Sequence, residues 1–377
     1  MKKLLFRNFI KNTLNFFIIM CLSISLIVWV VQAVGFLDFV TEDGHGLYVY
    51  FLYSFLNFPK MVHRILPFVF FISLFYQLSQ YELKNELLIF WTNGITKINF
   101  VNVIIGYSLI IFLLQLFLGA YVSPLGQNEA RSHLRNSNID FFPSLIKEGK
   151  FIDTVSNLTI FIQSKDSFGN YENIFLKEDI INTELNDSQI IYAKKGFLIN
   201  DKKNRYFKLS DGEIVNNKKG KITKFKFESI DFNLTKYASK STTYPKIQGT
   251  SSKALYQCLL FYFKLDLKKF EHKYLNCSEA SIKPISQEFL KRFYKPLYIP
   301  LIGLVGSLLL IRSKESQGYS RFKLFLFLIT FLIIVLSEIL LRYSSESLVG
   351  LLFFIIFPLL AFSLIYIFLL TLFNRKA

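Results

Sequence analysis

Runs of roughly 20 consecutive apolar residues constrain this chain more than anything else in it. A helix needs about 20 apolar residues to cross the hydrocarbon core of a bilayer. Such runs flank a long polar stretch on both sides. The first three are Thr13–Phe36, Val62–Gln80 and Phe100–Val122; the last three are Phe293–Ile311, Leu324–Leu341 and Leu348–Phe373. Apolar residues make up 52% of the 377, and Phe alone contributes 43, more apolar surface than a water-soluble core of this size uses. The expected fold class is therefore membrane α-helical, with six transmembrane helices in a 3+3 arrangement. The basic start of the chain suits a signal peptide, but the run from Thr13 to Phe36 is too long and lacks a small-x-small ending, so it reads as a retained span.

Between the two groups, from Ser123-Pro124 to about Ile285, no run could cross a bilayer. Eight short segments alternate there instead: Lys150–Asp153, Leu158–Gln163, Asn173–Lys177, Gln189–Ala193, Gly196–Ile199, Arg205–Leu209, Gly212–Val215 and Lys221–Leu234. Turn residues such as Phe168-Gly169-Asn170 and Asn216-Asn217 separate them. This predicts an all-β domain of about eight strands, a sandwich, jelly roll or open barrel. Ser251–Tyr274 then reads as an amphipathic helical stretch. The expected division is residues 1–122, 123–285 with a helical C-terminal segment, and 286–377.

The net charge of +17 raises the question of nucleic acid, but much of it sits in short basic clusters beside the apolar runs. That is the pattern of membrane topology. Twelve basic residues fall on one side: Lys2, Lys3, Arg7, Lys11, Lys84, Lys97, Arg312, Lys314, Arg321, Lys323, Arg375 and Lys376. The short loops of the other side carry Lys60, Arg64 and Arg342. Both termini and Tyr81–Lys97 are thus expected in the cytoplasm, with the β domain and Leu47–Phe58 facing outward. If the polar part is exported, Cys258 and Cys277 either pair or remain two separate thiols.

Enzymatic motifs are missing. No glycine-rich nucleotide loop, no HExxH, no GxSxG and no Cys/His zinc spacing occurs, and no metal or cofactor is expected. Two polar features remain. Glu338 and Arg342 are spaced i, i+4 near the outer end of span five, either as a local interfacial pair or as a polar spot lining a substrate path. Tyr81–Lys97, too polar to cross, sits between spans two and three. In it Leu83, Leu87 and Phe90 recur at helical spacing while Glu82 and Glu86 lie elsewhere on the wheel, and Gly94 offers a stop. It is either a connecting loop helix or a rigid, charged helix for a soluble partner to push against.

Several stretches together resemble the lipopolysaccharide export permeases LptF and LptG. They are the basic start with Arg7, Leu66-Pro67, Asn85-Glu86-Leu87 followed by Thr92-Asn93-Gly94-Ile95-Thr96, Tyr121-Val122-Ser123-Pro124 with Gln127 to Arg131, and Lys291-Arg292 with Lys295-Pro296-Leu297. The resemblance implies a transport subunit without catalysis of its own, served by an LptB-like ATPase dimer, a second LptF- or LptG-like permease, and LptC- and LptA-like periplasmic proteins. It implies a jelly-roll form for the β domain and Glu86, with Glu82, Leu87 and Phe90 beside it, as the ATPase contact. Lipid path candidates are Lys60, Arg64, Glu338 and Arg342, with Phe161, Phe175, Phe207, Phe225 and Phe227 either cradling acyl chains or packing a β core. Lys147–Asp153 and the stretch after it look more like LptF than LptG. Where family members often carry Lys or Arg at the outer end of span one, this chain has Gln32, Asp38, Glu42 and Asp43, and Phe261–Ser286 is an insert-like stretch that the family pattern does not place. The alternatives are the permease of another lipid or lipoprotein exporter, FtsX-like with a 1+3 arrangement, and a stand-alone membrane sensor or enzyme.

Overall fold

A computed structural model describes residues 2–37, 40, 46–136, 148–155, 158–166, 170–180, 187–200, 205–218, 221–234, 246–262 and 277–374. The acidic positions Asp38, Glu42 and Asp43, the greater part of the 261–286 stretch, and Arg375-Lys376 lie outside the described residues. The chain divides into two compact units. One comprises Met1–Gln32, Phe55–Glu129 and Lys246–Ala377, the other Ala33–Ser54 and Ala130–Pro245.

The first unit is helical. The helices of the chain are α1 (Lys2–Phe36), α2 (Leu47–Leu56), α3 (Phe58–Leu83), α4 (Glu86–Thr92), α5 (Lys97–Phe117), α6 (Ser123–Asn136), α7 (Ser252–Tyr262), α8 (Glu279–Phe293), α9 (Tyr298–Ser307), α10 (Tyr319–Tyr343) and α11 (Leu348–Asn374), of which most of α2 and the ends of α1 and α6 are counted with the second unit. Six helical stretches are long and apolar enough to cross a membrane: Lys2–Phe36, Leu47–Leu83, Lys97–Leu134, Ser281–Ile311, Tyr319–Tyr343 and Val349–Asn374. They coincide with the six predicted runs. Helix α9 is the axis of the bundle. Every residue from Tyr298 to Ser307 is buried, and it packs against α3, α5, α10 and α11. Small residues make this possible: a Cβ at Gly303 would come within 3.0 Å of the Ser108 Cβ, and one at Gly306 within 3.3 Å of Leu74. In lipid, helices gain little from hiding apolar surface, so such close backbone approach is what holds them together. By contrast α1 and α11 leave Ile19, Ile27, Val31, Leu359 and Leu364 on the surface, as lipid-facing helices do.

The second unit contains, among the described residues, a six-stranded antiparallel sheet in sequential order: β1 (Phe151–Val155), β2 (Leu158–Lys165), β3 (Tyr171–Ile180), β4 (Asp187–Asn200), β5 (Arg205–Lys218) and β6 (Lys221–Asn233). The expectation of about eight strands needs correction. The segments Gln189–Ala193 and Gly196–Ile199 are one strand, β4, and Arg205–Leu209 and Gly212–Val215 are one strand, β5. What reads as a break in sequence is a pair of adjacent polar residues inside a continuous strand. These pairs line up across the sheet, Glu172 opposite Lys195, Lys195 opposite Ser210, and Ser210 opposite Ser229. At this row the inward face advances by three residues instead of two: Tyr171 then Ile174, Ala193 then Gly196. Asn173 and Asp211 take left-handed backbone there, with φ of 51° and 53°. The result is a crease running across the strands. Beside it Gly212 is required, because a Cβ would lie 2.1 Å from the Tyr192 carbonyl oxygen. The inward face buries Ile160, Ile162, Leu176, Ile191, Phe207 and Leu209 as one cluster.

Candidate functional site

The stretch from Tyr81 to Lys97 is not a single helix. Helix α3 ends at Leu83, and Asn85 reverses the chain with φ of 60° before α4 begins at Glu86. Gly94, at φ of 69°, ends α4, and the Thr96 hydroxyl accepts from the Asn99 N–H to cap α5. The break at Asn85 takes Leu83 off the face shared by Leu87 and Phe90. Leu83 is 49% exposed, whereas Leu87 and Phe90 are buried. Phe90 anchors α4 by packing its ring 5.0 Å from Phe100 and 5.6 Å from Phe6. Further ties come from Lys2, which donates to the Gly94 carbonyl, and from Lys97, which donates to the Leu310 carbonyl and lies over the Trp91 ring.

The two acids of this segment have different surroundings. Glu82 accepts a hydrogen bond of 2.7 Å from the Lys314 backbone N–H, and the Lys314 ammonium donates to the Leu83 carbonyl. Glu82 thus fastens α3 to the loop after the fourth span. Glu86 is half-buried in the first turn of α4 and makes no hydrogen bond or ion pair among the described residues. Next to it Leu88 and Ile89 are exposed. A cavity of about 140 Å³ separates α4 from residues 310–315, with Glu82, Leu88, Trp91 and Arg312 in its wall.

A second polar group lies among α3, α8, α9 and α10. Glu338 pairs with Lys295, not with Arg342 as its i, i+4 spacing suggests. Arg342 is exposed. Lys295 is 7% exposed and precedes α9, so its ammonium is largely cut off from water and takes the carboxylate of the neighbouring span. Arg64 and Tyr298 flank the pair around a slot of about 10 Å³, room for a single water. Arg292, 1% exposed, is the residue that sequence reasoning did not single out as a site. Its guanidinium donates to Glu288, to the carbonyls of Gln248 and Thr250, and to the Ser252 hydroxyl, all between 2.9 and 3.0 Å. Lys60 donates to the Gln248 side-chain oxygen and Gln127 to the Gln248 carbonyl. These bonds strap residues 248–252 onto the helices. The available signal was the Lys291-Arg292 motif already noted, a basic pair just ahead of the fourth apolar run.

In the sheet the five phenylalanines divide between the two faces. Phe207 is wholly buried in the core, and Phe225 and Phe227 lie on that same side along the edge strand β6, opposite Ile214 and Gly212. Phe161 and Phe175 are on the other face. They form a cross-strand row with Phe151 and Tyr192, in which Phe151–Phe161 and Phe175–Tyr192 ring centroids lie 4.7 and 5.3 Å apart. This row borders an open cavity of about 610 Å³.

A family model described as lipopolysaccharide export system permease LptF/LptG matches residues 7–372. The chain belongs to the LptF/LptG family. It is also similar to an uncharacterized protein of Rickettsia prowazekii (strain Madrid E), with 27% identity over 238 residues. That similarity covers 63% of this chain and 65% of the relative, slightly under two thirds of its length.

With membership in the LptF/LptG family and six apolar helices, the protein is a multi-pass membrane protein. The family match runs through both compact units, so the sheet and the helices belong to one inherited design. On this LptF/LptG chain the cysteine question is answered by a disulfide between Cys258 on α7 and Cys277 just before α8, with Cα atoms 5.7 Å apart. It joins the two helices around buried Leu255 and Ile285, next to the strap held by Arg292. Cys21 is the remaining free thiol.

Proposed function

We propose that this chain is one permease subunit of an ABC-type lipopolysaccharide export complex. It draws lipopolysaccharide from the outer leaflet of the inner membrane and hands it to a periplasmic bridge. Both termini and α4 lie in the cytoplasm, three spans precede and three follow the sheet, and the sheet forms the outward, jelly-roll-type domain. Family membership and the twelve basic residues on one side support this arrangement. The chain is more like LptF, so its membrane partner is LptG-like, with LptC- and LptA-like proteins receiving the lipid. The energy comes from an LptB-like ATPase dimer, since no nucleotide-binding motif occurs in the chain.

The observation that carries the reading is α4. It is firmly seated by Leu87 and Phe90, yet turns Glu86, Leu88 and Ile89 outward. A partner that pushes on this helix moves α3 and α5 with it, and a carboxylate beside two apolar side chains suits a basic pocket in that partner. Glu82 is engaged with the 314 loop, which leaves Glu86 as the contact. On the lipid side, Arg64 beside the Lys295–Glu338 pair and the exposed Arg342 are the cations for lipid phosphates, while Lys60 is committed to Gln248. Acyl chains follow the inward side of the sheet, at whose edge Phe225 and Phe227 lie.

Glu86→Arg tests the coupling. It places like charges across the contact, at a cost of several kcal/mol. In proteoliposomes holding the whole complex, ATP-driven lipopolysaccharide release falls by about tenfold or more. Undiminished release by that variant would sink the assignment.

A further inference from the structure

Phe151, Phe161, Phe175 and Tyr192 stand directly opposite one another on β1 to β4. Phe151 is 68% exposed and Tyr192 49% exposed, on the face away from the core. Four rings on four adjacent strands span about 14 Å at the usual strand spacing. Exposed aromatic rows of this kind are not free: each ring left in water forgoes stabilisation it would have had in the core. The core face of the same strands is filled with Ile and Leu instead.

The next row along the strands is polar. Asn173, Lys194 and Asp211 line the same cavity of about 610 Å³ as the aromatic rings. The Asn173 amide is fixed by donating to the Gln163 side-chain oxygen at 2.8 Å. Asn173 and Asp211 are the residues held in left-handed backbone at the crease. The fold therefore sets an amide, an ammonium and a carboxylate beside a strip of aromatic rings.

We propose that this face is an oligosaccharide-binding shelf, which on the export reading above receives the sugar portion of the lipid while its acyl chains keep to the other side of the sheet. A pyranose has an apolar C–H face and a rim of hydroxyls. The C–H face lies on an aromatic ring, and the hydroxyls take the amide, ammonium and carboxylate of the row beside it. An acyl chain fits the rings but would strip water from Lys194 and Asp211 without replacing a single hydrogen bond. A docking β-strand would use the edges of the sheet, not the middle of its face. The length of the row suits several linked sugars rather than one.

The test uses the full-length protein in detergent, titrated with the lipid-free oligosaccharide released from purified lipopolysaccharide by mild acid. Saturation-transfer NMR on the sugar protons and calorimetry read the binding. Tyr192→Ala and Lys194→Ala both alter exposed side chains and leave the core intact. Each weakens binding by about tenfold, whereas Thr223→Ala, on the opposite face, leaves it unchanged. Absence of oligosaccharide binding to the unaltered protein, or equal binding by all three variants, overturns the shelf. So does a spin-labelled fatty acid that binds the unaltered protein and is lost in Tyr192→Ala while the oligosaccharide shows nothing. The Glu86→Arg release assay is independent of this titration. Loss of release there, together with unaltered sugar binding here, rejects the shelf and keeps the export reading. Intact release there, with sugar binding lost in Tyr192→Ala and Lys194→Ala, does the reverse.

Discussion

An ammonium buried as Lys295 is needs a counter-charge, and the bundle supplies it from another helix. Lys295 pairs with Glu338, while Glu288 pairs with Arg292 and Lys291. In sequence the nearer partner for Glu338 is Arg342, one turn along the same helix. Periodicity finds such local pairs well and cannot see a neighbour 43 residues away. A double-mutant cycle separates them. Lys295→Met with Glu338→Gln gives a coupling energy, on the order of 0.5–3 kcal/mol for residues in contact. Glu338→Gln with Arg342→Gln gives close to none, as read by thermal unfolding in detergent. The reverse ranking would restore the local pair. The same limit hid the role of Arg292: its charge was visible, but the three partners in residues 248–252 come together only through folding.

Elements were legible in proportion to the length of their pattern. Spans of about 20 apolar residues need no tertiary information, because the bilayer sets their length. Helix α4 was half legible: Leu87 and Phe90 were rightly paired on one face, but the left-handed Asn85 that removes Leu83 from it leaves no periodic trace. The sheet shows the opposite error, two strands each read as two. Lys194-Lys195 and Ser210-Asp211 look like turns because a strand with one buried face should alternate by two. The crease makes an exception by stepping three, and only the alignment of the polar pairs across neighbours reveals it. The backbone at Asp211 gives the corresponding prediction. Asp211→Gly is tolerated there, while Asp211→Val forces a β-branched residue into left-handed backbone at a cost of about 1–2 kcal/mol. Protease resistance of the sheet at rising urea concentration ranks the two variants, and an equal or inverted ranking would count against a strained crease.

For the molecule as a whole, the sequence had left the redox state of the cysteines open, since spacing alone says nothing about whether two thiols meet. The disulfide between Cys258 and Cys277 agrees with an oxidising compartment for that part of the chain. Alkylation of the denatured protein without reductant therefore labels one thiol, Cys21, and reduction beforehand raises the count to three. Mass spectrometry reads the number directly, and three labels without reductant would mean the bridge does not form in the cell. The division into a helical unit and a sheet followed from composition, whereas the segments that each unit draws from distant parts of the chain did not.

Helix α9 carries one more consequence, for how the protein is made. Its stretch, Ser281–Ile311, is less apolar than spans one, three, five and six and far more enclosed by protein, with Lys295 at its threshold. Such a helix is a poor guest in lipid by itself, since a lone lysine costs up to about 2.5–3.5 kcal/mol on insertion, the figure for the centre of a span. It settles stably only when α10 arrives with Glu338 and the ion pair can close. Chains truncated just before α10 leave the fourth span exposed to the wrong compartment more often than the full chain does, and a glycosylation or cysteine-accessibility reporter placed after Ile311 registers the difference. Equal insertion of both chains would show that α9 enters unaided. The most deeply enclosed helix of the finished molecule is thus the one that enters the membrane on credit from a segment not yet synthesised.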